Sequence, residues 1–327
     1  MSKVVVFDEF GGPEVLHIVG ESEPEPAEHE VRVRLEAFAV NPLDAMMRSG
    51  RSPAPVPLPH ARLGIEGTGI VDAVGAEVST LRVGDAVIVA ALPDSAVRGA
   101  YAQHVTLPAT AVIPRPAGLD VPHAASIWVA FATAYGSLIE MAGLRPADHV
   151  LVAGASGAVG RMAMQIANEI GAVPIAVTRS AERIDELLSA GATAVIATDA
   201  ENVVDETRRL TGSEGADVVF DLISGPGQQD LLRAARPGGV LVAGGFLDPR
   251  PTPQPVDSPS TVLNYRGWDH LLDGPELTRT AAFMAAGVRL GALQPAVDTV
   301  FGFDDVVEAH RRFDQGLYAG RKIVVTT

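Results

Sequence analysis

Between residues 149 and 245 short apolar runs alternate with stretches of helical period, and this alternation constrains the fold more than any other feature of the chain. HVLVA (149–153) is an apolar run that leads into glycine. Beyond it Val159, Met162, Ala163, Ile166, Ala167 and Ile170 recur at the spacing of one helix face. AVPIAV (172–177), a helix through Leu187, TAVI (193–196), a helix near 201–210, DVVFDLI (217–223) and GVLVAGG (239–245) follow. Strand and helix alternate four or five times. The pattern predicts a doubly wound α/β domain, a parallel sheet with helices on both faces. Ligands of such sheets lie beyond the carboxyl ends of the strands. That edge is where AGASGAVG (153–160), VTRSAER (177–183), DLISG (221–225) and AGGF (243–246) fall.

Residues 1–120 have another rhythm. VRVRLEAFAV (31–40) sets Val31, Val33 and Leu35 against Arg32, Arg34 and Glu36, the period of a half-buried strand. Turns such as Val83-Gly84-Asp85 separate further short runs, including Ala86–Ala90. RSPAPVPLP (51–59) places proline at every second position and reads as a stiff loop. DPRPTPQPVDSP (248–259), with five prolines, is a loop too, and RKIVV (321–325) is a short terminal strand. At 327 residues the chain is long enough for two cores.

Charge narrows the partners. Forty acids against 25 bases leave a formal net charge of -15, which opposes nucleic acids and anionic membranes, since both need clustered Lys and Arg. With no cysteine, disulfides, thiolate nucleophiles and Cys-containing zinc sites are excluded. The longest uncharged apolar stretch, Ala124–Ile139, is too short for a membrane span, and the amino terminus lacks a signal-peptide core. These features read as a cytoplasmic protein.

The glycine turn raises the question of a cofactor. Gly154, Gly157 and Gly160 follow a strand and open a helix, the context of a dinucleotide-binding turn, although Ala155 replaces the first glycine of the usual G-x-G-x-x-G. Such turns usually have an Asp or Glu about twenty residues on for the ribose hydroxyls. Here Thr178, Arg179, Ser180 and Arg183 occupy that region. Cationic forks and a hydroxyl suit a phosphate, so the segment points to NADP(H). The competing reading has Ser180 capping a helix and both arginines solvated.

Taken with VNPLDAMMRSG (40–50), GIEGTGIVDAVG (64–75), VGDAV (83–87) and GAYAQHV (99–105), these segments resemble the medium-chain dehydrogenase/reductase superfamily, and within it the zinc-free quinone oxidoreductase (zeta-crystallin-like) branch, over nearly the whole chain. The resemblance implies a GroES-like β-rich catalytic domain (residues 1–120 plus 290–327) and a Rossmann NADP(H)-binding domain (121–289). It also implies a homodimer. The places of the catalytic zinc ligands hold Asn41, Ile65 and Val129, so no metal is expected.

The function implied is hydride transfer from NADPH to quinones or related conjugated carbonyls. Asn41 is expected nearest the reaction, its amide free to bond a substrate carbonyl, unless it only closes an Asn-Pro turn. Thr133 and Tyr135, in FATAYGSL, match a segment beside the nicotinamide. Gly154, Ala155, Ser156, Gly157, Ala158 and Val159 are expected at the pyrophosphate. Gly245 and Phe246 are assigned to the cofactor site, and Lys322 is expected at the cofactor phosphates. Met46 stands where many relatives have a tyrosine, which removes one proton donor. Two alternatives remain: an enoyl or 2-alkenal reductase, and a non-catalytic NADPH-binding protein. Tyr265 and Trp268 line the pocket or a dimer edge.

Overall fold

The structure, a computed structural model, describes residues 1–52, 54–90, 92, 94–254, 260–267, 274–318 and 320–327. The chain divides into two compact units. One comprises Met1–Val129, Leu271–Ala281 and Gln294–Thr327; the other comprises Ala130–His270 and Ala282–Leu293.

The first unit is β-rich. β1 (Ser2–Phe7) lies between β2 (His17–Glu21) and β4 (Ala61–Arg62) in a small antiparallel sheet. A seven-stranded sheet is organised on β3 (Glu30–Val40), which pairs with β5 (Gly67–Val74), with β7 (His104–Pro108) and with the last strand, β16 (Lys322–Thr326). β6 (Ala86–Val89) and β8 (Val112–Pro114) extend it beyond β5, and β15 (Val297–Gly302) closes the other side. β3 shows why one strand can anchor so much. Val31, Val33 and Leu35 point into the core while Arg32, Arg34 and Glu36 face outward, but Ala37–Val40 are buried throughout. The alternation ends where Ala37 and Ala39 meet Ala125 and Val324 on a second buried face.

The second unit holds the alternating segment. β9 (His149–Ala153), β10 (Val173–Thr178), β11 (Ala194–Ala197), β12 (Ala216–Asp221), β13 (Ala235–Ala243) and β14 (Thr261–Asn264) form one parallel sheet. Its spatial order is β11-β10-β9-β12-β13-β14, the 3-2-1-4-5-6 order of the Rossmann fold. The central strands are apolar through their middle residues, Val150–Ala153 and Val218–Phe220, because both faces are covered. The chain leaves β9 toward one edge and β12 toward the other, so a crevice opens at the ends of Ala153 and Asp221, which are paired in register.

The α/β class with a GroES-like sheet and a Rossmann-type sheet is therefore as expected from sequence. Strand and helix bounds shift by at most four residues, and β9 keeps the bounds expected from sequence. The segment expected as a helix through Leu187 begins as a 3-10 turn, Ala181–Arg183, before the helix Ile184–Ser189. β14 has a weak sequence signal: four residues just beyond the proline loop.

Candidate active site and nucleotide cradle

In the second unit Val177 of β10 is paired with Ala153 of β9, so the segment lacking an acid runs beside the glycine turn. Gly154 adopts φ +78, and a Cβ on Gly160 would lie 2.5 Å from the Gly154 carbonyl oxygen. Both glycines are demanded by the protein itself. Gly157 is different. At φ -74 it is unstrained, and a Cβ there would meet a single atom, Gly154 O at 3.4 Å. Glycine at 157 instead leaves open the amino terminus of the helix Ala158–Ile170, which has no side-chain cap. Unpaired N–H groups with a positive helix dipole form an anion site. The residues present thus fit the pyrophosphate of a dinucleotide.

Around this turn Ala155 is fully buried, and Ser156, Ala158 and Val159 are half-buried. On the far side of the crevice, Asp221 is fully buried. Its carboxylate accepts from Ile223 N at 2.9 Å, Ser224 N at 3.0 Å and Gln228 Nε2 at 2.9 Å. Ser224 Oγ donates to Gly245 O at 2.6 Å, which fixes the end of β13. Phe246 next to it is exposed.

At the end of β10 Thr178 is buried, and its carbonyl accepts from Thr198 N at 2.9 Å. Ser180 Oγ accepts from Glu182 N at 3.3 Å, so it caps the following turn. Arg179 is exposed, and its guanidinium has no hydrogen bond or ion pair among the described residues. Arg183 pairs with Glu186 at 3.4 Å. The sequence reading missed two partners in this cluster. Arg161 donates through Nε to Ser156 O at 3.2 Å and through its terminal nitrogen to Glu186. Its signal was a cation one residue past the final glycine of the turn, on the side of the helix opposite the apolar face.

Thr133 is half-buried and Tyr135 is buried against Phe131 and Phe283, with centroids 5.6 and 5.1 Å apart. A π-helical turn follows at Gly136–Met141. Tyr265 resolves into a packing role. Its hydroxyl donates to Ala132 O at 3.0 Å and its ring lies on Gly136, where a Cβ would come within 2.5 Å. Burial pushes its phenol well above the ordinary range. Trp268 lies outside the described residues.

In the first unit a buried polar cluster forms at one end of the large sheet. Ile323 is paired with Val40, so Lys322 and Asn41 are neighbours across strands, and Glu66 precedes β5 on the other side of β3. Lys322 Nζ donates to Asn41 Oδ1 at 2.5 Å and to Glu66 Oε1 at 2.7 Å. Asn41 Nδ2 donates to Glu66 Oε1 at 3.0 Å and to Ala39 O at 3.3 Å, and Val129 N donates to Glu66 Oε2 at 2.9 Å.

Strand pairing places the ammonium of Lys322, expected at cofactor phosphates, on Glu66 and Asn41. Asn41 was expected to offer its amide to a substrate. It is 1% exposed, and both its N–H bonds and its oxygen are engaged inside the domain. The sequence signal for Glu66 was its place in GIEGTG, beside the Ile65 that replaces a zinc ligand.

Below this cluster the helix Pro42–Arg48 begins. Asp44, fully buried, accepts from Asn41 N at 2.8 Å and Gly64 N at 2.9 Å. Burial pushes its carboxyl up to about 7, against the pull of those donors and of Lys322. Arg48 donates to His310 Nδ1 at 2.9 Å and to Asp314 at 2.6 Å, which leaves His310 Nε2–H to donate to the Tyr101 hydroxyl at 3.1 Å. Burial, then Arg48, holds His310 down at about 3. Met46 on the same helix is half-buried. Among the described residues no group of three or more His, Asp or Glu is placed to hold a metal.

A GroES-like β-unit and a six-stranded Rossmann unit with an open glycine cradle define a nucleotide-binding dehydrogenase or reductase of the two-domain kind. Residues 27–117 match the alcohol dehydrogenase GroES-like domain, and residues 158–268 match the family described as zinc-binding dehydrogenase. Quinone oxidoreductase of Homo sapiens is 30% identical over 331 residues, covering 99% of this chain and 97% of that protein. Quinone oxidoreductase of Pseudomonas aeruginosa is 35% identical over 245 residues, 75% of this chain and 74% of that one. The structure of Escherichia coli quinone oxidoreductase complexed with NADPH superposes with TM-score 0.87 at 26% identity, covering 99% of this chain and 100% of that chain. The chain belongs to the medium-chain dehydrogenase/reductase superfamily, in its quinone oxidoreductase branch.

Proposed function

We propose that the protein is an NADPH-dependent oxidoreductase that transfers hydride to quinones or related conjugated carbonyls without a metal. The observation that carries this reading is the pairing of an open glycine cradle with a cationic, acid-free segment beside it. Bound NADPH supplies the hydride. The backbone of Ser156–Val159 would hold the pyrophosphate, and Arg179, Ser180 and Arg183 the 2′-phosphate, with Thr178 in the wall and Gly245 and Phe246 across the crevice. Thr133 and Tyr135 would border the nicotinamide.

In the catalytic unit Asn41, held by Lys322 and Glu66, would be the residue nearest the reaction. Met46 has no exchangeable proton, so the oxygen anions of a reduced quinone would take theirs from water. The branch and the acidic charge favour a small-molecule partner. β14, the terminal strand of the parallel sheet, offers an edge through which a homodimer could form. No helix among the described residues is long and apolar enough to cross a membrane, and the absence of cysteine suits the cytoplasm.

The test is steady-state oxidation of NADPH and NADH with 1,4-benzoquinone, for wild type and Arg179→Ala/Arg183→Ala. A strong NADPH preference that collapses in the double variant supports both the cofactor and the class. Equal use of NADH by the wild type overturns the phosphate assignment, and NADPH binding without turnover overturns quinone reduction in favour of the enoyl reductase or the non-catalytic reading.

A further inference from the structure

Two of the cations around the expected 2′-phosphate position, Arg161 and Arg183, are not free. Glu186 joins Arg161 and Arg183: one carboxylate oxygen accepts from Arg161 and the other from Arg183 at 3.4 Å. Arg161 is 12% exposed and Glu186 32%, so this pair is partly withdrawn from water. Arg161 is tied at its other end to Ser156 O, inside the glycine turn. The carboxylate therefore bridges the helix that opens at the turn and the helix that follows the acid-free segment. Two guanidinium forks converge on one anion, the geometry with which arginines hold a phosphate.

We propose that Glu186 is a counter-ion latch on the 2′-phosphate subsite. It occupies Arg161 and Arg183 in the absence of nucleotide and competes with the phosphate for them, so that it sets how strongly the site favours a 2′-phosphorylated adenosine. Arg161 is thereby a third specificity-determining cation beside Arg179 and Arg183. The proposal rests on the NADP(H) reading and deepens it. Its physical basis is that a carboxylate and a phosphate cannot both be fully paired by the same two forks. Displacing Glu186 costs binding energy that an adenosine without a 2′-phosphate never spends.

The test is calorimetric binding of 2′,5′-ADP and 5′-ADP to the full chain, comparing wild type, Glu186→Gln and Glu186→Asp, with a melting curve for each. Glu186→Gln removes the charge, keeps the shape, and should tighten 2′,5′-ADP by roughly threefold to tenfold, the worth of two partly exposed ion pairs, with 5′-ADP unchanged. Glu186→Asp keeps the charge and should stay within about twofold of wild type. If the wild type prefers 2′,5′-ADP but Glu186→Gln leaves that preference unchanged or lowers it, the latch is overturned and the NADP(H) reading stands. A lowered preference would mean that Glu186 presents the arginines. If neither the wild type nor the variant distinguishes the two nucleotides, both fall.

Discussion

The Lys322 ammonium lies 2.7 Å from the Glu66 carboxylate, with side-chain exposures of 7% and 0%. A charge pair so fully enclosed is neutral as a unit but costly to break, because the survivor is left without solvent or partner. Lys322→Met should therefore cost about 3–5 kcal/mol. Adding Glu66→Gln should return a large part of that loss. Urea denaturation of both single variants and the double variant measures the coupling, and additive losses would contradict it.

The glycines of the nucleotide turn should separate cleanly. Gly160→Ala drives a methyl against the Gly154 carbonyl and should cost more than about 2 kcal/mol of stability. Gly157→Ala meets only an ordinary contact, so its folding loss should stay within about 1 kcal/mol. Its effect should appear as weakened NADPH binding, since the methyl would project into the open cradle. Thermal melts and NADPH titration of the two variants give the comparison.

Two buried groups give the first unit opposite responses to pH. His310 is held down at about 3, below an exposed imidazole, so the unfolded chain takes up the proton first as pH falls. Its contribution to stability is complete above about 6.5 and is lost toward 3. Asp44, raised to about 7, has the other sign: its contribution is complete below about 4 and is lost as pH rises through 7. His310→Gln should flatten the acid limb of the stability profile by about 2–3 kcal/mol at pH 4, each protein referred to its own stability at pH 7. Denaturation series at several pH values check this.

Tyr265→Phe keeps the ring on Gly136 and removes the donor to Ala132 O. Leaving a buried carbonyl short of one partner should cost about 1 kcal/mol. A melting curve tests the figure, and no change would mean that the carbonyl finds another donor.

Much of the second unit was legible in the sequence. Parallel strands covered on both faces read as apolar runs, and the helices between them show their period directly, so HVLVA and DVVFDLI fall close to β9 and β12. The glycine turn was legible because steric demand at Gly154 and Gly160 is local. β14 was not, since four residues after a proline loop carry too short a pattern. The partners of Asn41 and Lys322 were not legible for a different reason. A side chain's chemistry is visible in the sequence, but whether its hydrogen bonds are already spent is not.

The sequence by itself determined the fold class, the nucleotide turn and the cationic, acid-free segment after β10, because periodicity and glycine sterics act over a few residues. Only the tertiary structure decided which charges meet. Lys322 and Asn41 stand 281 residues apart, and Lys322 and Glu66 stand 256 apart, yet the pairing of β16 and β5 on either side of β3 brings all three together. Arg161 and Glu186, 25 residues apart, meet because two parallel strands set their helices side by side. Electrostatic partnership depends on distance in space and on exclusion of water, and strand register fixes both.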